Sequence, residues 1–99
     1  MREDHRVARA GISFESEMTS EQARELAQLM EKARPTRPAG VETALLEYKD
    51  GRGRLVAVWK DAATLDRYLA EEPVPRGTEL MRKIGLEPVV ERFDVLELG

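Results

Sequence analysis

The run Leu55-Val56-Ala57-Val58-Trp59 is apolar at every position and is bounded by Arg54 and Lys60. Side chains of a strand alternate between two faces, so such a run is a strand in the interior of a sheet, covered on both sides. It is far too short to cross a bilayer as a helix, and no other segment is longer, so no membrane partner is expected. The rest of the sequence has to supply what lies on each side.

Upstream, residues 6–15 read as a first strand, with Ala8, Ala10, Ile12 and Phe14 on one face. Thr19 followed three positions on by Gln22 is a capping-box pair and predicts a helix start. The helix carries an apolar stripe of Ala23, Leu26, Ala27, Met30 and Ala33 until Pro35 blocks it, and residues 35–40 read as loop. Residues 41–49 read as a second strand, with Ala44, Leu46 and Tyr48 on one side and Val41, Thr43 and Leu45 on the other. Asp50-Gly51-Arg52-Gly53 is turn chemistry and makes a hairpin with the apolar third strand, residues 54–60.

Downstream, Asp61 caps a helix through Thr64, turns Leu65, Tyr68 and Leu69 inward and ends before Pro73 and Pro75. A short helix over residues 77–84 carries Leu80, Met81 and Ile84 inward and stops at Gly85, suited to a left-handed cap. Residues 87–98 form a fourth strand, with Val89, Phe93 and Val95 opposed by Val90, Leu96 and Leu98.

Strand, helix, strand, strand, helix pair, strand is the order of the split βαβ, ferredoxin-like fold, an α+β class with a four-stranded antiparallel sheet, here as one domain over residues 1–99. Its helices cover one face of the sheet, so the apolar residues of the other face need a different cover, and a second copy of the same sheet is the economical one. The size of the chain argues the same way. At 99 residues it is short of core, it has no Cys, and its one His is His5, so disulfides and an imidazole- or thiolate-bound structural metal are unavailable and oligomerisation is the support left.

A net charge of −3 from 16 basic and 19 acidic residues, spread along the chain, offers no basic stripe for nucleic acid. The charged residues read as solvated surface. Without Cys, and with no charged start leading into an apolar run, a cytoplasmic location is expected. Gly51 and Gly53 precede a strand rather than a helix, which removes a phosphate-cradle reading. His5 has no Asp or Ser placed to orient it as a base, and Glu15-Glu17 and Glu71-Glu72 do not form a converging carboxylate pair.

The segment from Leu55 to Lys60 running through Asp61 into Ala62-Ala63-Thr64-Leu65-Asp66-Arg67-Tyr68-Leu69 resembles the antibiotic-biosynthesis-monooxygenase-like (ABM-like) group of the dimeric α/β-barrel superfamily, in which an apolar third strand ends in Trp and leads into a capped helix with an inward aromatic. The resemblance implies a homodimer whose two sheets close a barrel, with a pocket in each subunit between the sheet and its own helices for a flat, largely apolar or aromatic molecule. Some members of the group oxidise polycyclic aromatics with molecular oxygen and neither metal nor flavin, so no cofactor is expected. Others degrade haem. Of the residue types those branches use, the chain has no Asn, and its one His precedes the first strand; Tyr68 is placed like a functional residue, and Thr78 stands about where haem-degrading relatives carry a His.

The candidate site is therefore Tyr68 as the catalytic residue, with Trp59, Met81, Arg9 and Thr78 as substrate-binding residues. Trp59 and Met81, like Met30, are apolar groups that can equally pack as core; Arg9, on the strand face opposite Ile12 and Phe14, can equally pair with Glu47 or Glu91. Two functions follow: a pocket protein that is a cofactor-independent monooxygenase, or a non-catalytic dimerisation or ligand-sensing module. The first requires a cavity and the second a filled interior.

Overall fold

The structure, a computed structural model, describes residues 7–96, with side chains from Arg9 onward. Four strands, β1 (Val7–Glu17), β2 (Val41–Lys49), β3 (Arg52–Trp59) and β4 (Val89–Leu96), form one antiparallel sheet in the order β2-β3-β1-β4. Helices α1 (Ser20–Ala33), α2 (Ala62–Glu71) and α3 (Arg76–Arg82) make the two crossovers. This is the ferredoxin-like α+β fold, and the apolar run sits in β3, an interior strand. No helix of the described residues is long and apolar enough to cross a membrane.

The local signals act as their chemistry requires. Thr19 Oγ1 accepts the Gln22 backbone N–H at 3.0 Å and Gln22 Oε1 accepts that of Thr19 at 2.9 Å, which starts α1. Asp61 Oδ1 accepts the Thr64 N–H at 2.7 Å and starts α2. These hydrogen bonds to Thr64 hold the Asp61 carboxyl below its ordinary range. Gly85 closes the segment after α3 with φ of 82°.

Four expectations are corrected. The hairpin turn is Asp50-Gly51 alone, with φ of 50° and 80°, because both central residues of this tight turn need positive φ; Arg52 and Gly53 already pair in β3. Residues 34–36 form a short 3-10 turn rather than plain loop, with Pro35 near its start, where its missing N–H costs nothing. A bulge between Val41 and Thr43 turns Val41 onto the same face as Ala44 and Leu46. Ala27 lies at the margin of its stripe and is exposed, whereas Leu29 on the opposite margin is long enough to reach the core. His5 and Leu98 lie outside the described residues.

The helices bury one sheet face. Ala10, Ile12, Phe14, Leu55 and Trp59 meet Leu26, Leu65, Leu80 and Met81, with Leu26, Leu65 and Met81 fully enclosed. The other face has no element over it among the described residues. Val56 and Val58 of β3 lie there, paired in register with Leu45 and Thr43 of β2, while the ring of Phe93 lies over Gly11.

Candidate functional site

The helix-side layer is not filled throughout. Between the sheet, the end of α1, the turn after it and the start of α3 lies a cavity of about 120 Å³. Its floor is buried and apolar, built from Ile12, Phe14, Leu55, Trp59, Gly77 and Leu80. Its rim is exposed or half-buried and polar, built from Glu31, Arg34, Arg37 and Arg76. Val41 reaches the wall through the bulge, and Met30 through the α1 stripe.

Trp59 and Tyr68 stand together in this wall. Their ring centroids are 4.9 Å apart, tilted by 38°, a favourable aromatic contact. Trp59 is 3% exposed, and its Nε1–H finds no hydrogen-bond partner among the described residues. The carbon edge of the indole, Cε3 and Cζ3, is the part nearest Gly40, and the N–H is on the opposite edge. A buried donor left unpaired costs roughly 1–3 kcal/mol, so this N–H calls for an acceptor beyond the described side chains, a water or a ligand group.

The Tyr68 hydroxyl accepts the backbone N–H of Arg76 at 2.8 Å, which fixes the phenol against the start of α3. That bond uses a lone pair and leaves the hydroxyl proton free to donate, and no described residue accepts it. Burial pushes the Tyr68 phenol above its ordinary value, only partly offset by the Arg76 N–H, so at neutral pH it is a donor and not a phenolate base. The wall thus offers one free proton donor, the Tyr68 O–H, beside the Trp59 ring, whose N–H is itself enclosed.

The structure brings Tyr68 and Trp59 together and separates the other three expected site residues from them. Met81 is fully enclosed on the inward face of α3 and packs as core. Thr78 is buried on α3 but does not line the cavity, because the first turn of α3 presents Arg76 and Gly77 to it instead. Arg9 lies on the uncovered sheet face, 3.4 Å from Glu42, since strand alternation sends it away from Ile12 and Phe14. Strand register decides for Glu42 over Glu47 or Glu91: Glu42 lies beside Val41, level with Ala10 across Trp59, whereas Glu47 is level with Glu15 and Glu91 with Ser13. The three rim arginines are the residues that sequence reasoning passed over. Arg34 and Arg37 flank a proline-containing turn, and nothing in a linear pattern shows that it folds back over the cavity mouth. Among the described residues no three metal-ligating side chains converge.

Several solved structures superpose on this one over most of its length. A protein from Deinococcus radiodurans assigned as an antibiotic biosynthesis monooxygenase superposes with a TM-score of 0.59 at 12% identity, over 91% of this chain and 95% of that one. SnoaB, a cofactor-independent oxygenase from Streptomyces nogalater, gives 0.54 at 16% identity over 93% of each chain. This chain has the ABM-like fold. Protein SO0527 from Shewanella oneidensis extends the likeness to 96% of this chain and 100% of its own, with a TM-score of 0.59 and 17% identity. No protein-family model matches the sequence, and no curated protein matches it. The ABM-like fold is thus shared at the level of the backbone, at 10–17% sequence identity.

Proposed function

We propose that this chain is a small-molecule-binding homodimer that holds a flat, largely apolar aromatic molecule against Trp59 and Tyr68 and oxygenates it as a cofactor-independent monooxygenase. The observation that carries the reading is the apolar cavity walled by the Trp59 ring and by the Tyr68 phenol with a free proton. A donor in apolar surroundings stabilises negative charge on a ring oxygen of a bound phenol or enol, the form in which such a molecule gives electrons to oxygen. An activated ring CH2 that loses a proton to water, adds O2 to give a hydroperoxide and then loses water becomes a carbonyl: CH2 plus O2 gives C=O plus H2O. The substrate supplies all the electrons. SnoaB, with the same fold, is named as an oxygenase that needs no cofactor.

The dimer is proposed through the uncovered sheet face, where Leu45, Val56, Val58, Phe93 and Val95 form an apolar strip with Arg9 and Glu42 paired beside it. Sedimentation at micromolar concentration is expected to give a dimer, and Val58→Glu a monomer; a monomeric parent protein overturns this part. Thermal shift against flat aromatic and quinone-like compounds, with oxygen uptake followed on those that bind, tests the rest. Expected are stabilisation by at least one compound class and a weaker response in Trp59→Phe.

The non-catalytic, ligand-sensing reading is favoured by one specific observation. Glu31 is the cavity's one carboxylate, and it lies on the rim 3.7 Å from Arg34, so no buried base removes the substrate proton. Binding without oxygen uptake assigns the chain to that class.

A further inference from the structure

The rim of the cavity holds three arginines against a single glutamate. Their environments differ. Arg34 is two-thirds exposed and faces Glu31 at 3.7 Å. Arg76 is held in place: its guanidinium donates to the Thr36 carbonyl at 2.9 Å and to the Thr36 hydroxyl at 3.4 Å, with Glu79 only at 4.0 Å. Arg37, between them on the turn, is half-buried, and its side chain has no hydrogen bond and no ion pair among the described residues. Most of the other described arginines are paired, as in Arg52 with Glu15 at 2.9 Å, Arg82 with Glu87 at 2.8 Å and Arg92 with Asp66 at 2.9 Å, and the two others without an ion pair, Arg24 and Arg67, are exposed to water. A half-buried guanidinium without a counter-ion is an unusual arrangement, since charge leaving water without a partner loses free energy.

We infer that the molecule bound in this cavity carries an acid group, a carboxylate, at the end that faces the mouth, and that Arg37 is its counter-ion, with Arg76 pre-positioned beside it. The inference rests on the proposed small-molecule reading and narrows it from flat aromatics in general to flat aromatic acids. The planar fork of a guanidinium matches a carboxylate in two parallel N–H···O bonds, which gives orientation as well as affinity. An acid pinned at the rim pushes the ring system down onto the apolar floor formed by Ile12, Phe14 and Leu55. The far end of the ring then lies against the Trp59 ring, while the Tyr68 hydroxyl, 2.8 Å from the Arg76 N–H, stands nearer the mouth. Charge at the mouth and an apolar floor define one direction of entry.

The test uses two probes of the same shape, 2-naphthoate and the neutral 2-naphthamide, titrated calorimetrically into the full chain at low ionic strength. The acid is expected to bind roughly tenfold more tightly than the amide, and raising the salt to about 0.5 M is expected to erode that ratio. Arg37→Gln brings the ratio close to one, whereas Arg67→Gln, on the exposed side of α2, keeps the parental ratio. Each variant is first checked for parental circular dichroism and melting temperature. Amide and acid binding with equal affinity overturns the acid inference alone. A ratio unchanged in Arg37→Gln overturns the role of Arg37. Failure of both probes to bind overturns the acid inference together with the aromatic-pocket reading beneath it.

Discussion

The two ends of the helix-side layer are built from the same kinds of residue and end in opposite states. At one end Leu26, Leu65 and Met81 are fully enclosed, and α1 and α3 are tied together by Gln22 Nε2 donating to the Ile84 carbonyl at 3.3 Å. At the other end Trp59 and Tyr68 face a cavity, and the closing element is a short turn carrying arginines in place of a third apolar layer. The packed end has aliphatic side chains from three helices converging on the sheet; the open end has the last turn of α1 departing and Gly77 where α3 begins. The difference teaches that a domain this small can hold a binding space only if its stability is concentrated elsewhere. The core residues that do not line the cavity, Leu26, Leu65 and Met81 among them, support the end that is unfilled.

The largest effect is expected where that division is challenged directly. Leu65→Ala removes most of a fully enclosed side chain and is expected to cost about 3 kcal/mol, read from the midpoint of denaturant unfolding. Ligand-induced stabilisation per mole bound should be unchanged in it, because Leu65 does not line the cavity. A loss of ligand response at parental temperature margins would show that the two ends are one cooperative site.

A smaller effect is expected at the seam between them. A Cβ built on Gly77 would run into the ring of Phe14, where α3 crosses β1 with no room for a side chain. In a packed interior such an insertion costs about 1–3 kcal/mol. Here Phe14 borders the cavity and can tilt into it, so Gly77→Ala should cost about 1 kcal/mol, at the low end of that range, while abolishing ligand binding. A cost at the high end with binding retained would mean that α3 is displaced instead, and that the cavity is more rigid than its volume implies.

The same contrast explains what the sequence made legible. The buried face follows from periodicity: the alternation of Ala10, Ile12 and Phe14 and the stripe of α1 are local signals, as are the caps Thr19 and Asp61, each satisfied by a backbone N–H three residues on. Tyr68 and Trp59 were legible as an inward pair because they lie nine residues apart across one capped turn. The rim was not. Arg37 and Arg76 come to one cavity rim only because a 3-10 turn brings Thr36 within hydrogen-bond reach of Arg76, and the bulge that swings Val41 inward breaks the alternation on which the reading of β2 depended. Met81 and Thr78 misled for the converse reason. Helical periodicity says that a residue points inward, and inward here means solid core on one side of α3 and cavity on the other.

The smallest effect concerns Tyr68, which stands at the boundary. Its phenol is pushed above the ordinary value of 10.0, chiefly by burial, with the Arg76 N–H opposing the shift. A group whose folded pKa is raised contributes stability that is fully present below the unfolded pKa and is lost as pH rises through the folded one. Wild-type stability is therefore expected to be insensitive to this group between about pH 7 and 9 and to fall on alkaline titration above about pH 10. Tyr68→Phe leaves the Arg76 N–H without its acceptor and should cost about 1 kcal/mol at neutral pH. The variant should also lose part of the alkaline drop, because phenylalanine has no proton to release. Comparing the two unfolding curves across pH isolates the contribution of Tyr68. Equal alkaline drops would show that the Tyr68 hydroxyl is as well hydrated as a surface phenol, and the open end would then be a solvent cleft with no dry wall for a ligand to use.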